Sequence, residues 1–430
     1  MREMKNSGVA WIGDVPENWE IVKIGQLFQC RNVKVNDTDF QPLSVSKGGI
    51  VPQMENVAKS DANDNRKQVL TGDFVINSRS DRKQSCGVSK LDGSVSLINT
   101  VLYGFDKDRV IPEYNNYLLK NYGFAEEFYR WGHGIVADLW TTRWQEMKNI
   151  EIPVPSIKTQ EDILSALRIK SKNISLLIFN QEQQIEKLKQ YKQSLITEVV
   201  AKGLNPDVTM KDSGVKWIGQ IPENWTIKPL KSLFGFGKGL PITKENLQTN
   251  GVPVISYGQI HAKWNSGVTI HDELKRFVSE TYIETNPNSL VKYGDFIFAD
   301  TSEDREGCGN CVYVDKSETL FAGYHTVILT SSSQRSNKYL AYLFLTDAWR
   351  SQIRCKVSGI KVFSISRKIL SSTSIILPDI AEQNDIVSYL DDKCAKIDRL
   401  IAIKQEKINK LNDYKKSLIY EYVTGKREVC

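Results

Sequence analysis

The chain opens each of its two halves with nearly the same words. Ser7–Trp19 reads SGVAWIGDVPENW and Ser213–Trp225 reads SGVKWIGQIPENW, ten of thirteen positions identical at an offset of 206. A second repeat closes each half: Tyr191–Val200 is YKQSLITEVV and Tyr414–Val423 is YKKSLIYEYV, now offset by 223. An opening motif, a long divergent body and a closing helix are therefore used twice. Internal repetition constrains the fold before any local pattern does. It predicts two similar half-molecules, an arrangement suited to a target in two parts.

The closing segments read as helices with a sustained heptad. One row of the first is Leu167, Ile174, Gln181, Leu188 and Leu195; the other is Leu164, Ser171, Ile178, Ile185, Lys192 and Val199. Adding 223 gives Leu390, Ile397, Lys404, Leu411 and Leu418, then Val387, Cys394, Ile401, Ile408, Lys415 and Tyr422. Five heptads with apolar seams signal a coiled coil, and matched polar layers at Gln181/Lys404 and Lys192/Lys415 suit register fixing. Two helices of about 40 residues would each span roughly 60 Å. A globular body between them predicts antiparallel pairing. Two helices packed separately on their own bodies are the alternative.

The bodies read as mixed α and β. Asp73–Asn77 after Gly72 is a strand, repeated by Asp295-Phe296-Ile297-Phe298 after Gly294 at offset 222. Val95–Phe105 alternates as strands do, and a helix is predicted over Tyr114–Trp131. Asn99-Thr100-Val101 matches His325-Thr326-Val327 at offset 226, and Tyr114, Tyr117 and Leu118 match Tyr339, Tyr342 and Leu343 at 225. The framework is shared and the loops are not. From Trp225 to Gln383 the second copy is 17 residues longer than the first from Trp19 to Gln160. Functional differences belong in those loops.

Composition narrows the class by exclusion. At 430 residues and a net charge of +6, charge permits nucleic-acid binding without proving it. The bodies carry 18 basic against 17 acidic residues over 20–159 and 18 against 14 over 226–379. No apolar run is long enough for a membrane span, and the start lacks a signal-peptide core. Seven scattered cysteines form no disulfide framework, which suits a reducing cytoplasm. Gly235-Phe236-Gly237-Lys238-Gly239 fits no phosphate-loop pattern and reads as a flexible loop. Cys308-Gly309-Asn310-Cys311 is a lone CxxC without the second pair a zinc site needs. His133, His261, His271 and His325 lack nucleophile-elbow context. Catalytic residues and metal ligands are therefore expected to be none. Trp11, Trp19, Trp217 and Trp225 offer stacking platforms for bases, but near-identity across copies favours a shared packing role.

The doubled SGVxWIGxIPxxW, two divergent bodies each closing on a Pro-rich strand and Gln (IPVPSIKTQEDI at 152–163, ILPDIAEQNDI at 376–386) and the YKxSLIxE helices together resemble the specificity subunit of type I restriction–modification enzymes. The resemblance covers the whole chain. It implies an α+β fold: two target-recognition domains joined by two long helices paired as an antiparallel coiled coil about a pseudo-twofold repeat. The corresponding segments are 1–158 and 205–380 for the domains, 159–204 and 381–426 for the helices. It further implies that each domain reads half of a bipartite, asymmetric double-stranded DNA site while the helices set the unread gap. Two modification (methyltransferase) subunits and a restriction (translocase/endonuclease) subunit would be the protein partners. S-adenosylmethionine would bind the modification subunit, with no cofactor on this chain. One departure is that the first helix ends more polar than the second at 199–203.

Base edges are best read by Arg on guanine and by Gln or Asn on adenine. Candidate readers in the loop after the Gly-Asp-Phe strand are Arg79, Arg82 and Lys83, then Asp300, Arg305 and Asn310. In the loop after the body helix they are Arg130, His133 and Arg143, then Arg354, Lys356 and Lys361. Lys47 and Gln259 hold earlier turns. The competing readings are a coiled-coil scaffold with two protein-binding domains, and a DNA methyltransferase or endonuclease with divergent motifs.

Overall fold

The computed structural model describes residues 2–54, 65–106, 108–135, 140–215, 217–331 and 337–429. The chain divides into two compact units, Met1–Gln183 with Lys404–Cys430, and Gln184–Ile403. The long helices run Ile157–Lys202 and Ile380–Val423, so the unit boundaries fall within helices and each unit owns part of both.

In the first unit the two helix segments run antiparallel. Lys415 Nζ donates to Ser175 Oγ at 2.9 Å, and Lys170 Nζ lies 5.5 Å from the Tyr422 ring. In the second unit Lys192 Nζ donates to both carboxylate oxygens of Asp398 at 2.8 and 2.7 Å. There Gly203 stands beside Glu382, so the direction is again antiparallel. The heptad seam is the buried face. Leu167, Ile174, Ile185, Leu195, Leu390, Ile397, Ile408 and Leu418 are buried, while Ile178, Leu188, Ile401 and Leu411 are half-buried against the same cores. Of the two shared polar layers, Gln181 is buried and Lys192 is ion-paired.

Each body hangs between the ends of two paired strands. In the first, Glu20–Lys23 pairs antiparallel with Glu151–Val154, bringing Glu20 opposite Val154. In the second, Thr226–Pro229 pairs with Ser374–Leu377, bringing Thr226 opposite Leu377. Inside the first body a four-stranded sheet has the order Cys86–Val88, Phe74–Asn77, Asn99–Gly104, Phe28–Cys30. Inside the second the order Cys311–Tyr313, Phe296–Ala299, Thr326–Ser331, Phe234–Lys238 repeats it. The Gly-Asp-Phe strands begin alike for a local reason. Gly72 and Gly294 have φ of 94° and 93°, open only to glycine without strain. The following aspartate accepts the backbone N–H three residues back, Leu70 to Asp73 and Lys292 to Asp295, both at 2.9 Å.

The opening motif is a compact hairpin in both units. Met4–Asn6 pairs with Asp14–Pro16, and Met210–Asp212 with Gln220–Pro222. Its tryptophans are packing groups. Trp11, Trp19 and Trp225 are buried, the Trp11 indole N–H donates to the Glu151 carbonyl, and that of Trp225 donates to Glu382 Oε2 at 2.9 Å. The two helix ends are also used alike. Tyr114 Oη donates to the Val423 carbonyl in the first unit, and Tyr339 Oη to the Val200 carbonyl in the second. Polar sequence at 199–203 therefore does not free that helix end, since Val199 and Val200 are buried.

Four local expectations are revised. The helix over Tyr114–Trp131 is two, Pro112–Leu118 and Tyr122–Arg130, because Asn121 Oδ1 accepts the Phe124 N–H and restarts the helix. Thr346 does the same for Trp349 in the second body. The alternating stretch Val95–Phe105 is divided between two sheets, ending one strand at Ser96 and starting another at Asn99. Phe234–Lys238 is an edge strand rather than a loop, and a Cβ at Gly239 would collide with the Gly323 carbonyl at 1.9 Å. The offset between the Asn99 and His325 segments is 227 by pairing, for Asn77 faces Asn99 while Ala299 faces Thr326. Between these paired positions the second copy is five residues longer (27 against 22), and His325 lies in the turn just before Thr326.

The glutamines that close each body tie the strand exit to the helix start. Gln160 Nε2 donates to the carbonyls of Pro155 and Arg109 at 3.0 and 2.7 Å, while its Oε1 accepts the Ile111 N–H. Gln383 Nε2 repeats the first bond to the Pro378 carbonyl at 2.9 Å. Gln160 is fully buried. Gln160→Ala strands three polar groups, each costing about 1–3 kcal/mol when left buried and unpaired. The first thermal transition should fall by several degrees, measured by differential scanning calorimetry, and Gln160→Glu should rescue it only partly because one acceptor bond alone is kept.

Candidate nucleic-acid interface

Two loops distant in sequence are stitched together in each body, and at equivalent positions. In the first, Arg79 bridges Thr141, the Thr142 N–H donates to the Ser78 carbonyl at 2.9 Å, and Thr141 also bridges His133. In the second, Thr301–Ser302 pairs with Phe363–Ser364, and the Ile365 N–H donates to the Asp300 carbonyl at 2.7 Å. Arg79 and Thr301 are 222 residues apart, Thr141 and Ser364 are 223 apart. The same backbone seam is built twice, and its side chains differ.

The candidate readers divide into groups left to solvent and groups already committed. Arg79, His133 and Arg143 are exposed and lie together along the first seam. Arg82 is exposed beside Asp81 at 3.7 Å, a pair of little energetic weight. Lys83 is instead held by Glu126 and by the Tyr129 ring 5.8 Å away. Arg130 pairs with the buried carboxylate of Glu127 at 2.7 Å, which also takes the Trp131 indole N–H. Lys47 is exposed in the two-residue turn between Leu43–Ser46 and Gly49–Pro52, away from the seam in sequence.

In the second body Arg305 and Lys361 are exposed on the two loops. Asp300 is half-buried, accepting from Thr301 Oγ1 at 2.7 Å and facing His325 Nδ1 at 3.4 Å. Asn310 is structural: its Oδ1 accepts from Arg350 Nη1 at 2.7 Å and its amide meets His261 Nδ1 at 3.1 Å. Arg354 is pinned by Asp347, Glu306 and the Glu306 carbonyl. Lys356 donates to Ser372 Oγ at 2.8 Å, and Gln259 Oε1 caps its own helix by accepting the Ser256 N–H. Hydrogen bonds, ion pairs and capping already engage Asn310, Arg354, Lys356 and Gln259; loop proximity in sequence did not separate them from the exposed groups. Burial pushes the thiols of Cys308 and Cys311 up, Cys311 to about 12, so both are neutral packing groups near pH 7.

Sequence reasoning passed over Lys238 and Arg367, which line a cleft of about 430 Å³ beside Asp300, Tyr324, His325 and Ser364.

Residues 222–413 match the family described as the type I restriction modification DNA specificity domain. Along nearly its full length the chain is also similar to the type I restriction enzyme MjaVIII specificity subunit of Methanocaldococcus jannaschii. They are 23% identical over 435 residues, covering 96% of this chain and 94% of that one. The second half of the chain thus carries a match to the type I DNA specificity domain, and the whole chain is similar to type I specificity subunits. The putative MjaX specificity subunit of the same organism is again 23% identical, over 448 residues, covering 97% and 96%. Two solved structures share this fold. One, from work on complex assembly and conformational transition of the type I R-M system, has a TM-score of 0.68 at 14% identity, covering 95% and 98%. The HsdS subunit from Thermoanaerobacter tengcongensis has a TM-score of 0.50 at 17% identity, covering 96% and 98%. Among the described residues, no helix is long and apolar enough to cross a membrane.

Proposed function

We propose that this chain is the DNA-reading, non-catalytic subunit of a type I restriction–modification complex, each body reading one half of a bipartite, asymmetric double-stranded site. The observation that carries the reading is the repeated seam: the same backbone closure is built in both bodies, and the loops that flank it carry different exposed side chains, Arg79, His133 and Arg143 in one and Arg305 and Lys361 in the other. In such a device the frame is common and specificity lies in the replaceable loops. The paired helices hold the unread gap and dock two modification subunits, which bind S-adenosylmethionine and transfer its methyl group. A restriction subunit completes the complex, and the assembly works in the cytoplasm beside chromosomal DNA.

Arg79, Arg143 and His133 serve the first half-site; Arg305, Lys361 and Asp300 serve the second. A bidentate arginine on guanine is worth about 1–3 kcal/mol of discrimination, whereas a phosphate contact strengthens all sequences alike. Arg143→Ala should weaken binding of the reconstituted complex roughly tenfold or more. A base-reading role relaxes one position of the first half-site, and a phosphate role instead lowers the salt slope by about one. The decisive experiment is methylome sequencing of a host expressing this chain with its modification subunit. A bipartite motif supports the proposal; binding without salt or sequence dependence would leave the scaffold reading.

A further inference from the structure

Among the described residues, the non-glycine positions with left-handed backbone are Gln84, at φ 63°, and His325, at φ 55°. Such conformations are uncommon outside glycine, and where they persist they gather at functional sites. Each falls within the loop system of one body's seam. Gln84 follows Lys83 and is half-buried, but His325 is exposed and its surroundings are built around the ring.

Asp300 fastens His325 from two directions. Its N–H donates to the His325 carbonyl at 3.1 Å, and its Oδ1 lies 3.4 Å from the ring Nδ1. The rings of Tyr257 and Tyr324 stand edge-on to the imidazole with centroids 5.4 and 6.0 Å away. Even so, 59% of the side chain is open to solvent. At the matching positions the first body has Ser78 and Ile98, joined by the same backbone bond from the Ser78 N–H to the Ile98 carbonyl. A strained, oriented and exposed imidazole has thus been added to one seam and not to the other.

We propose that His325 is a specificity-determining residue for the second half-site, positioned by Asp300, and that it reads the exocyclic amino group of an adenine or cytosine in the major groove. The inference rests on the DNA-reading function proposed above. A carboxylate facing Nδ1 favours the tautomer with its proton there, which leaves Nε2 as a hydrogen-bond acceptor. In the major groove the groups an acceptor can meet are the N6 amine of adenine and the N4 amine of cytosine.

The test is methylome mapping with the full complex carrying His325→Gly, beside His325→Asn and the unaltered chain. Glycine suits the backbone and removes the ring, so the variant should fold with an unchanged or higher Tm. It should lose preference at one base pair of the second half-site by tenfold or more and leave the first half-site intact. Asn also tolerates this backbone, and its amide should keep a preference for adenine at the same position. An unchanged motif with His325→Gly overturns the assignment, as does a change in the first half-site or a lowered Tm with both variants equally inactive. Failure of the unaltered complex to yield any bipartite motif would overturn the DNA-reading function, and this assignment with it.

Discussion

Trp225→Ala should unfold the second unit at temperatures where the first remains folded. The indole is fully buried, edge-on to Tyr339 at 6.4 Å, and hydrogen-bonded through Nε1 to Glu382. It also backs the turn at Gly203, where the first long helix ends. Truncating a buried tryptophan costs about 3–5 kcal/mol, and the carboxylate left without its donor adds about 1–3 more. Those figures stand against a total domain stability of about 5–15 kcal/mol. Calorimetry should show one transition lowered by well over ten degrees or missing, with the other unmoved. Trp225→Phe should recover most of the loss. A uniform small shift of both transitions would mean that the tryptophan is not the keystone of its own unit.

Exchange of one body for that of another specificity subunit should replace one half of the recognised sequence and leave the other half untouched. The physical reason is the strand pair at each body's base. With Glu20 opposite Val154 and Thr226 opposite Leu377, the chain leaves and rejoins the frame at adjacent points. A graft cut outside these pairs brings its own closed strand pair with it. A second-body graft ending at residue 375 would instead sever Ile376 from Ile227 and Leu377 from Thr226, and should express poorly. Grafts ending after Leu377 should be active. Methylation mapping checks both statements: alteration of both half-sites by one graft would refute independent reading.

The parts legible in the sequence were those whose signal is local or repeated. Heptad spacing marks the helix seam because burial follows the helical period, and each residue of the predicted interface is buried or half-buried. The Gly-Asp-Phe strand starts were legible because a single turn geometry demands glycine and a short acceptor side chain. The candidate readers were legible only as a pool. Arg354 and Arg305 look alike as loop arginines, yet Arg354 is spent on Asp347 and Glu306 while Arg305 is exposed. The partners that separate them are far apart in the chain or lie on helices whose facing direction is set by packing.

By itself, then, the amino-acid order determined the doubled architecture, the antiparallel seam and the packing role of the repeated tryptophans, since each follows from periodicity or near-identity between copies. Tertiary structure alone decided that the loops after Ala299 and before Ile365 close into one seam, as those after Asn77 and before Thr142 do. It also decided that His325 stands strained at that seam. Backbone pairing across more than sixty residues leaves no periodic trace in either loop, because the hydrogen bonds are made by main-chain atoms that every residue carries.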